Sequence, residues 1–150
     1  MPVVFTQTPD PVSSGYVASM SRPGRNATGF TLLEFGLSGK WLELLKSVAP
    51  ATSRAAIVRD PATPEGASQY AVIESVAPTL GIELTSVDVR DAGELERSLA
   101  AFATAPNGGM VVTASGLANV HRELIVTLAA RHRLPSIYFR PIFAPLGGLI

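Results

Sequence analysis

Four short apolar stretches, Ala55-Ala56-Ile57-Val58, Leu84 to Val89, Gly109 to Thr113 and Pro135 to Phe139, alternate with segments of helical periodicity. Connectors of that length are crossovers rather than hairpin loops, so the pattern requires a parallel β-sheet with helices laid across it. A parallel sheet places ligand sites in the loops beyond the carboxyl ends of its strands. Those loops are where functional residues are expected.

Charge and composition narrow the partner class. The 150-residue chain has twelve basic and twelve acidic side chains, which leaves no electrostatic footprint for nucleic acid or an anionic membrane surface. A small-molecule partner fits better. It has no cysteine, which excludes a disulfide scaffold, a thiolate nucleophile and a cysteine zinc site. The apolar runs are too short and too often interrupted by Pro, Gly or charge to span a bilayer. Met1 to Phe5 lacks the basic start of a signal peptide, so the chain as written is expected in the cytoplasm.

Two unequal parts follow one another along the chain. Residues 2–6 read as a strand. Thr8-Pro9-Asp10-Pro11 then reads as a helix start, with a short helix to about Met20. The breakers Ser21 to Asn26 follow, and Ala27 to Leu33 reads as extended. Beyond Gly36-Leu37-Ser38-Gly39, Ser38 is expected to cap a helix whose apolar stripe is Trp41, Leu42, Leu44, Leu45 and Val48, stopped by Pro50. Thr63 caps a helix opened by Pro64 and closed by Gly81, and Pro78 predicts a kink or an early end near Val76. Asp91 to Glu94 has capping-box spacing, with Leu95, Leu99 and Phe102 inward. One long helix is expected from Leu117 to Arg131, burying Val120, Leu124, Ile125 and Leu128.

Candidate chemistry is sparse. His121 and His132 have no carboxylate at ligand spacing, so no metal site is expected, and no motif calls for a cofactor. Thr113-Ala114-Ser115-Gly116 follows a strand and opens a helix, as a nucleophile elbow does, but lacks the glycine two residues before the serine and a later histidine. Ser115 therefore reads as a helix cap or ligand contact. Gly39-Lys40 lacks both the leading glycine and the hydroxyl residue of a phosphate loop. Asn26-Ala27-Thr28 fits the glycosylation pattern, which is common by chance. Asp10, Asp60, Asp88 and Asp91 lie near strand ends, where capping explains them as well as function does.

A nearly end-to-end resemblance takes the reading further. Pro2-Val3-Val4-Phe5, Asp10-Pro11-Val12, Gly15-Tyr16-Val17-Ala18-Ser19, Arg22-Pro23-Gly24, Asn26-Ala27-Thr28-Gly29-Phe30, Lys40 to Lys46 and Leu128 to Tyr138 form a consecutive pattern. In it the chain resembles the substrate-binding proteins of bacterial ABC transporters, in the branch of the tryptophan- and tyrosine-type binders. The resemblance implies a periplasmic-binding-protein type I fold, in which two Rossmann-like lobes joined by a hinge close on a small molecule, without catalysis. It implies that residues 1–35 are a remnant of lobe one and the hinge, 36–140 the flavodoxin-like α/β domain of lobe two, with strand order 2-1-3-4, and 141–150 a hinge return segment. The implied partners are an amino acid or similar ligand and an ABC permease, in the periplasm. With half of the cleft absent, binding is expected to be impaired.

In a lobe of that strand order the first and third strands diverge at the switch point. Arg59, Asp60, Thr63, Thr113 and Ser115 then flank the crevice, with Arg140 adjacent. From the first part, Thr6, Asp10 and Ser13 end a strand and open a helix whose amides suit a carboxylate. Arg59-Asp60 stands where the family more usually has Tyr-Asn. The alternatives are a flavodoxin-like sensor or regulatory domain and a small hydrolase using Ser115. Finally, with the first-lobe strands they would pack against missing, Phe5, Val12, Tyr16, Val17, Met20, Phe30, Leu32 and Leu33 are expected to leave apolar surface and open strand edges, which predicts a homodimer built on residues 1–35 and the Pro141 to Ile150 tail.

Overall fold

In the computed structural model, residues 1–8, 11–12, 15–31 and 36–148 are described. They fall into two compact units, Met1–Leu37 and Ser38–Ile150.

The first unit holds two strands, β1 (Val3–Thr8) and β2 (Ala27–Thr31), paired in parallel from Val3 opposite Ala27 to Phe5 opposite Gly29. A side chain at position 29 would overlap the Phe5 carbonyl, so the close pairing depends on glycine there. The Asn26 side chain holds the start of β1 by donating to the Met1 carbonyl at 2.6 Å. Between the strands, the described residues of the expected 11–20 helix are turns and bends. The Gly15 and Tyr16 amides close a turn onto Val12 and Pro11, and Gly15, at φ 73°, has left-handed backbone that helical residues do not adopt. Val17 is buried, while Tyr16 and Phe30 are exposed. Leu32 and Leu33 lie outside the described residues.

The second unit is a three-layer sandwich. It opens with α1 (Leu37–Val48), then alternates β3 (Arg54–Arg59), α2 (Pro64–Leu80), β4 (Glu83–Asp88), α3 (Ala92–Phe102) and β5 (Gly108–Val112). Next come α4 (Gly116–Val120), α5 (Arg122–Arg131), β6 (Ser136–Tyr138) and a 3-10 helix, Pro141–Leu146. The sheet runs β4-β3-β5-β6 with every pair parallel, which is the expected order 2-1-3-4. Side chains alternate across it. Ala55, Ile57, Val111 and Ile137 pack with Leu42, Leu45, Ile73 and Ala77 of α1 and α2. Ala56, Val58, Met110 and Val112 pack with Leu95, Leu99, Phe102, Ile125 and Leu128 of α3 and α5. Covering on both faces is why β3 and β5 read as continuous apolar runs instead of alternating ones.

Helix ends follow their local chemistry closely. Thr63 accepts from the Gly66 amide and Asp91 from the Glu94 amide, while Gly81, at φ 63°, closes α2. Three expectations need correction. The α2 helix runs through Pro78 to Leu80 instead of stopping near Val76, because a proline in the last turn forfeits only one intrahelical bond. The long helix from Leu117 is broken at His121, where the Arg122 guanidinium donates to the Asn119 carbonyl, and Val120 is exposed while Val126 and Ala129 are buried. On α1 the buried residues are Ser38, Gly39, Leu42 and Leu45, with Leu44 and Val48 exposed. That face is set by Gly39, where an added Cβ would lie 3.3 Å from Val76 of α2. Ser38 is thus inside the helix and not its cap.

Candidate ligand crevice

At the carboxyl ends of β3 and β5 the chain leaves the sheet toward α2 and α4, so the loops 59–63 and 113–115 diverge from adjacent strands. Asp60, Thr63, Thr113 and Ser115 are brought to this one place. Asp60 is buried, with 6% of its surface exposed, and its Oδ1 accepts from the Ala62 amide at 3.0 Å. Its carbonyl accepts from the Thr63 hydroxyl at 3.1 Å, and that hydroxyl in turn accepts from the Gly66 amide at 3.1 Å. This series of turns pins the first loop to the start of α2.

The second loop is tied in two directions. Thr113, fully buried, donates both its amide (2.9 Å) and its hydroxyl (3.0 Å) to the Val58 carbonyl of β3. The Ala114 amide donates to Oε1 of Gln69 on α2 at 2.9 Å. Ser115 caps α4 by accepting from the Ala118 amide at 2.9 Å, the capping role its position suggested.

The remaining candidates are placed differently. Arg59 donates from Nε to the Ser86 hydroxyl at 2.8 Å and its guanidinium lies 4.4 Å from the Tyr70 ring centre, which holds it along β4 and α2. Arg140 follows β6 beside the Phe139 ring and precedes the 3-10 helix. Thr6 belongs to the first unit, where it is exposed and lines an apolar groove of about 490 Å³ with Val3, Phe5, Tyr16 and Ala27. Asp10 and Ser13 lie outside the described residues. Of the other acids, Asp91 caps α3, and Asp88 is held below the usual carboxylate range by the Arg90 side chain, whose Nε donates at 2.8 Å. Burial raises the Tyr138 phenol. Among the described residues no group of His, Asp or Glu is placed to hold a metal ion, and no helix is long and apolar enough to cross a membrane.

Sequence reasoning missed Gln69. It lies on the buried face of α2 with Gly66, Ile73 and Ala77, and it is fully buried. A lone amide among small and apolar residues at helical spacing was the available signal.

The family pattern of ABC transporter substrate binding protein matches residues 1–150. No curated protein matches. Among solved structures, a conserved domain protein of Vibrio cholerae is 21% identical with a TM-score of 0.83, over 99% of this chain and 49% of its own. An ABC domain from Streptococcus pneumoniae, in complex with L-Trp, is 17% identical with a TM-score of 0.82, over 99% of this chain and 49% of its own. A ligand-free, open substrate-binding protein with adhesive properties from Clostridium difficile is 20% identical with a TM-score of 0.72, over 92% of this chain and 46% of its own. The chain spans about half the length of these solved proteins.

Proposed function

The chain belongs to the ABC transporter substrate-binding protein family, and from that premise we propose that its second unit is the ligand-contacting half of a solute-binding protein that binds without catalysis. The observation that carries this reading is the divergence of the two loops at the β3/β5 switch point. There a buried carboxylate, two pinned loops and the capped start of α2 converge. Asp60 suits an amine, and Arg140, just beyond β6 beside β5, suits a carboxylate, whereas Arg59 is engaged by Ser86 and Tyr70. A zwitterionic small molecule such as an amino acid is therefore the proposed ligand class. L-Trp in the pneumococcal neighbour supports the same class.

In this reading residues 1–35, with Thr6, Asp10 and Ser13, belong to the other lobe and the hinge, and 141–150 to a return segment. An ABC permease is the partner and the periplasm the compartment of the complete protein. A sensor domain would use the same crevice, but the family match favours transport.

One lobe leaves one side of a ligand in water. The contacts and the low dielectric that tighten polar interactions in a closed cleft are then lost. Calorimetric titration of this chain with L-tryptophan and with branched amino acids is expected to give dissociation constants no tighter than roughly millimolar, about 4 kcal/mol. A micromolar value for any of them overturns the single-lobe reading.

Self-association is proposed for the first unit. A two-stranded sheet is marginal alone, and Val4, Tyr16 and Phe30 are 65%, 55% and 75% exposed. Two copies paired about a two-fold axis would cover these side chains together. Light scattering at micromolar concentration should report a dimer that Phe30→Asp and Tyr16→Asp return to monomer; a monomeric parent chain contradicts it.

A further inference from the structure

Gln69 is a buried side chain that ties α2 to the loop beyond β5, and the nitrogen end of its carboxamide is unused. Its Oε1 accepts from Ala114 at 2.9 Å, whereas its Nε2 is closed off from solvent and has no partner among the described residues. Turning the amide over would set two donors against each other at Ala114, so this orientation follows from the network. The two ends of one carboxamide lie side by side. The unused N–H groups therefore sit within one carboxamide's width of the Ala114 amide, in the loop whose first residue, Thr113, is anchored to β3. A buried donor without an acceptor is costly, and proteins rarely keep one that nothing satisfies.

We propose that Gln69 positions the two crevice loops relative to each other and gives its spare N–H to an acceptor oxygen, a carboxylate or carbonyl, of the bound ligand. This rests on reading the crevice as the ligand site. Because bulk water does not reach the nitrogen, an acceptor meets it only as loop 113–115 yields, which couples ligand entry to loop position. Gly66 and Gln69 share one face of α2, so that helix sets both loops at once.

The test is an NMR titration of the ¹⁵N-labelled chain with L-tryptophan and with L-tryptophanamide, for the parent chain, Gln69→Glu and Gln69→Met. In the parent, the Gln69 side-chain amide and the Ala114 backbone amide should shift together with Asp60, Thr63 and Ser115. Gln69→Met should expose Ala114 to at least about tenfold faster hydrogen exchange. Gln69→Glu can still accept from Ala114 and should keep its protection. It has no donor and repels a carboxylate, so it should weaken L-tryptophan about tenfold more than L-tryptophanamide, whose carboxamide is neutral, the magnitude of a charged hydrogen bond. In Gln69→Met, which adds no charge, a purely structural glutamine would weaken both ligands equally, whereas loss of a donor weakens L-tryptophan more. Should crevice residues shift while Gln69 does not, and the two ligands weaken alike, the crevice reading stands and the role of Gln69 falls. Absence of shifts throughout the crevice at tens of millimolar ligand overturns both. If Gln69→Met does not fold, the parent titration decides by whether the Gln69 side-chain amide shifts with the crevice residues.

Discussion

Leu45→Ala is expected to destabilise the second unit by about 2–5 kcal/mol, the range for emptying a fully buried leucine site. Leu45 has no exposed surface, and its side chain fills the space in front of Gly109 on β5. A Cβ built at Gly109 would lie 2.9 Å from one Leu45 methyl and 3.0 Å from the other. Gly109→Ala alone should therefore cost about 1–3 kcal/mol through overpacking. The double variant is the sharper measurement, because the new methyl enters the space that Leu45 vacates. Its cost should fall short of the sum of the single costs by roughly 1 kcal/mol or more, as for residues in contact. Urea denaturation of the four proteins measures the cycle, and strict additivity would show that the two positions do not face each other.

Gly66→Ala should cost about 3 kcal/mol, although alanine favours helices in general. The added Cβ would overlap the Asp60 carbonyl oxygen, a backbone atom that no rotamer change removes, and would lie 3.1 Å from the Thr63 hydroxyl. The first loop or the start of α2 must shift, and with it go the Thr63 cap and the Asp60 turn. Binding in the crevice should weaken in parallel. A variant as stable as the parent in urea would mean that the loop is not held as described.

The sheet was legible because its strands carry a signal of their own. Ala55 to Val58 and Gly109 to Val112 are apolar on both faces and bounded by turn residues, and the caps at Thr63, Gly81 and Asp91 are local chemistry. What escaped reading depends on residues distant in sequence. The stripe of α1 is chosen by Gly39 meeting Val76, and Arg59 is drawn aside by Ser86 and Tyr70. Gln69 was passed over because a polar residue in a helix ordinarily faces water. The switch point was legible for the opposite reason: strand order alone fixes where adjacent loops part, without any knowledge of side-chain contacts.

The order β4-β3-β5-β6 has a consequence for how the chain leaves the ribosome. β3 is made first and takes β4 on one side as soon as α2 and β4 have emerged, but its other edge waits for β5. Through the whole synthesis of α3, Ala55 to Val58 presents unpaired backbone along a run of apolar side chains. Such an edge is a template for pairing with another nascent chain. Aggregation during expression should therefore be governed by pausing between β4 and β5, and a chain stopped at Phe102 should be far less soluble than one stopped after Tyr138.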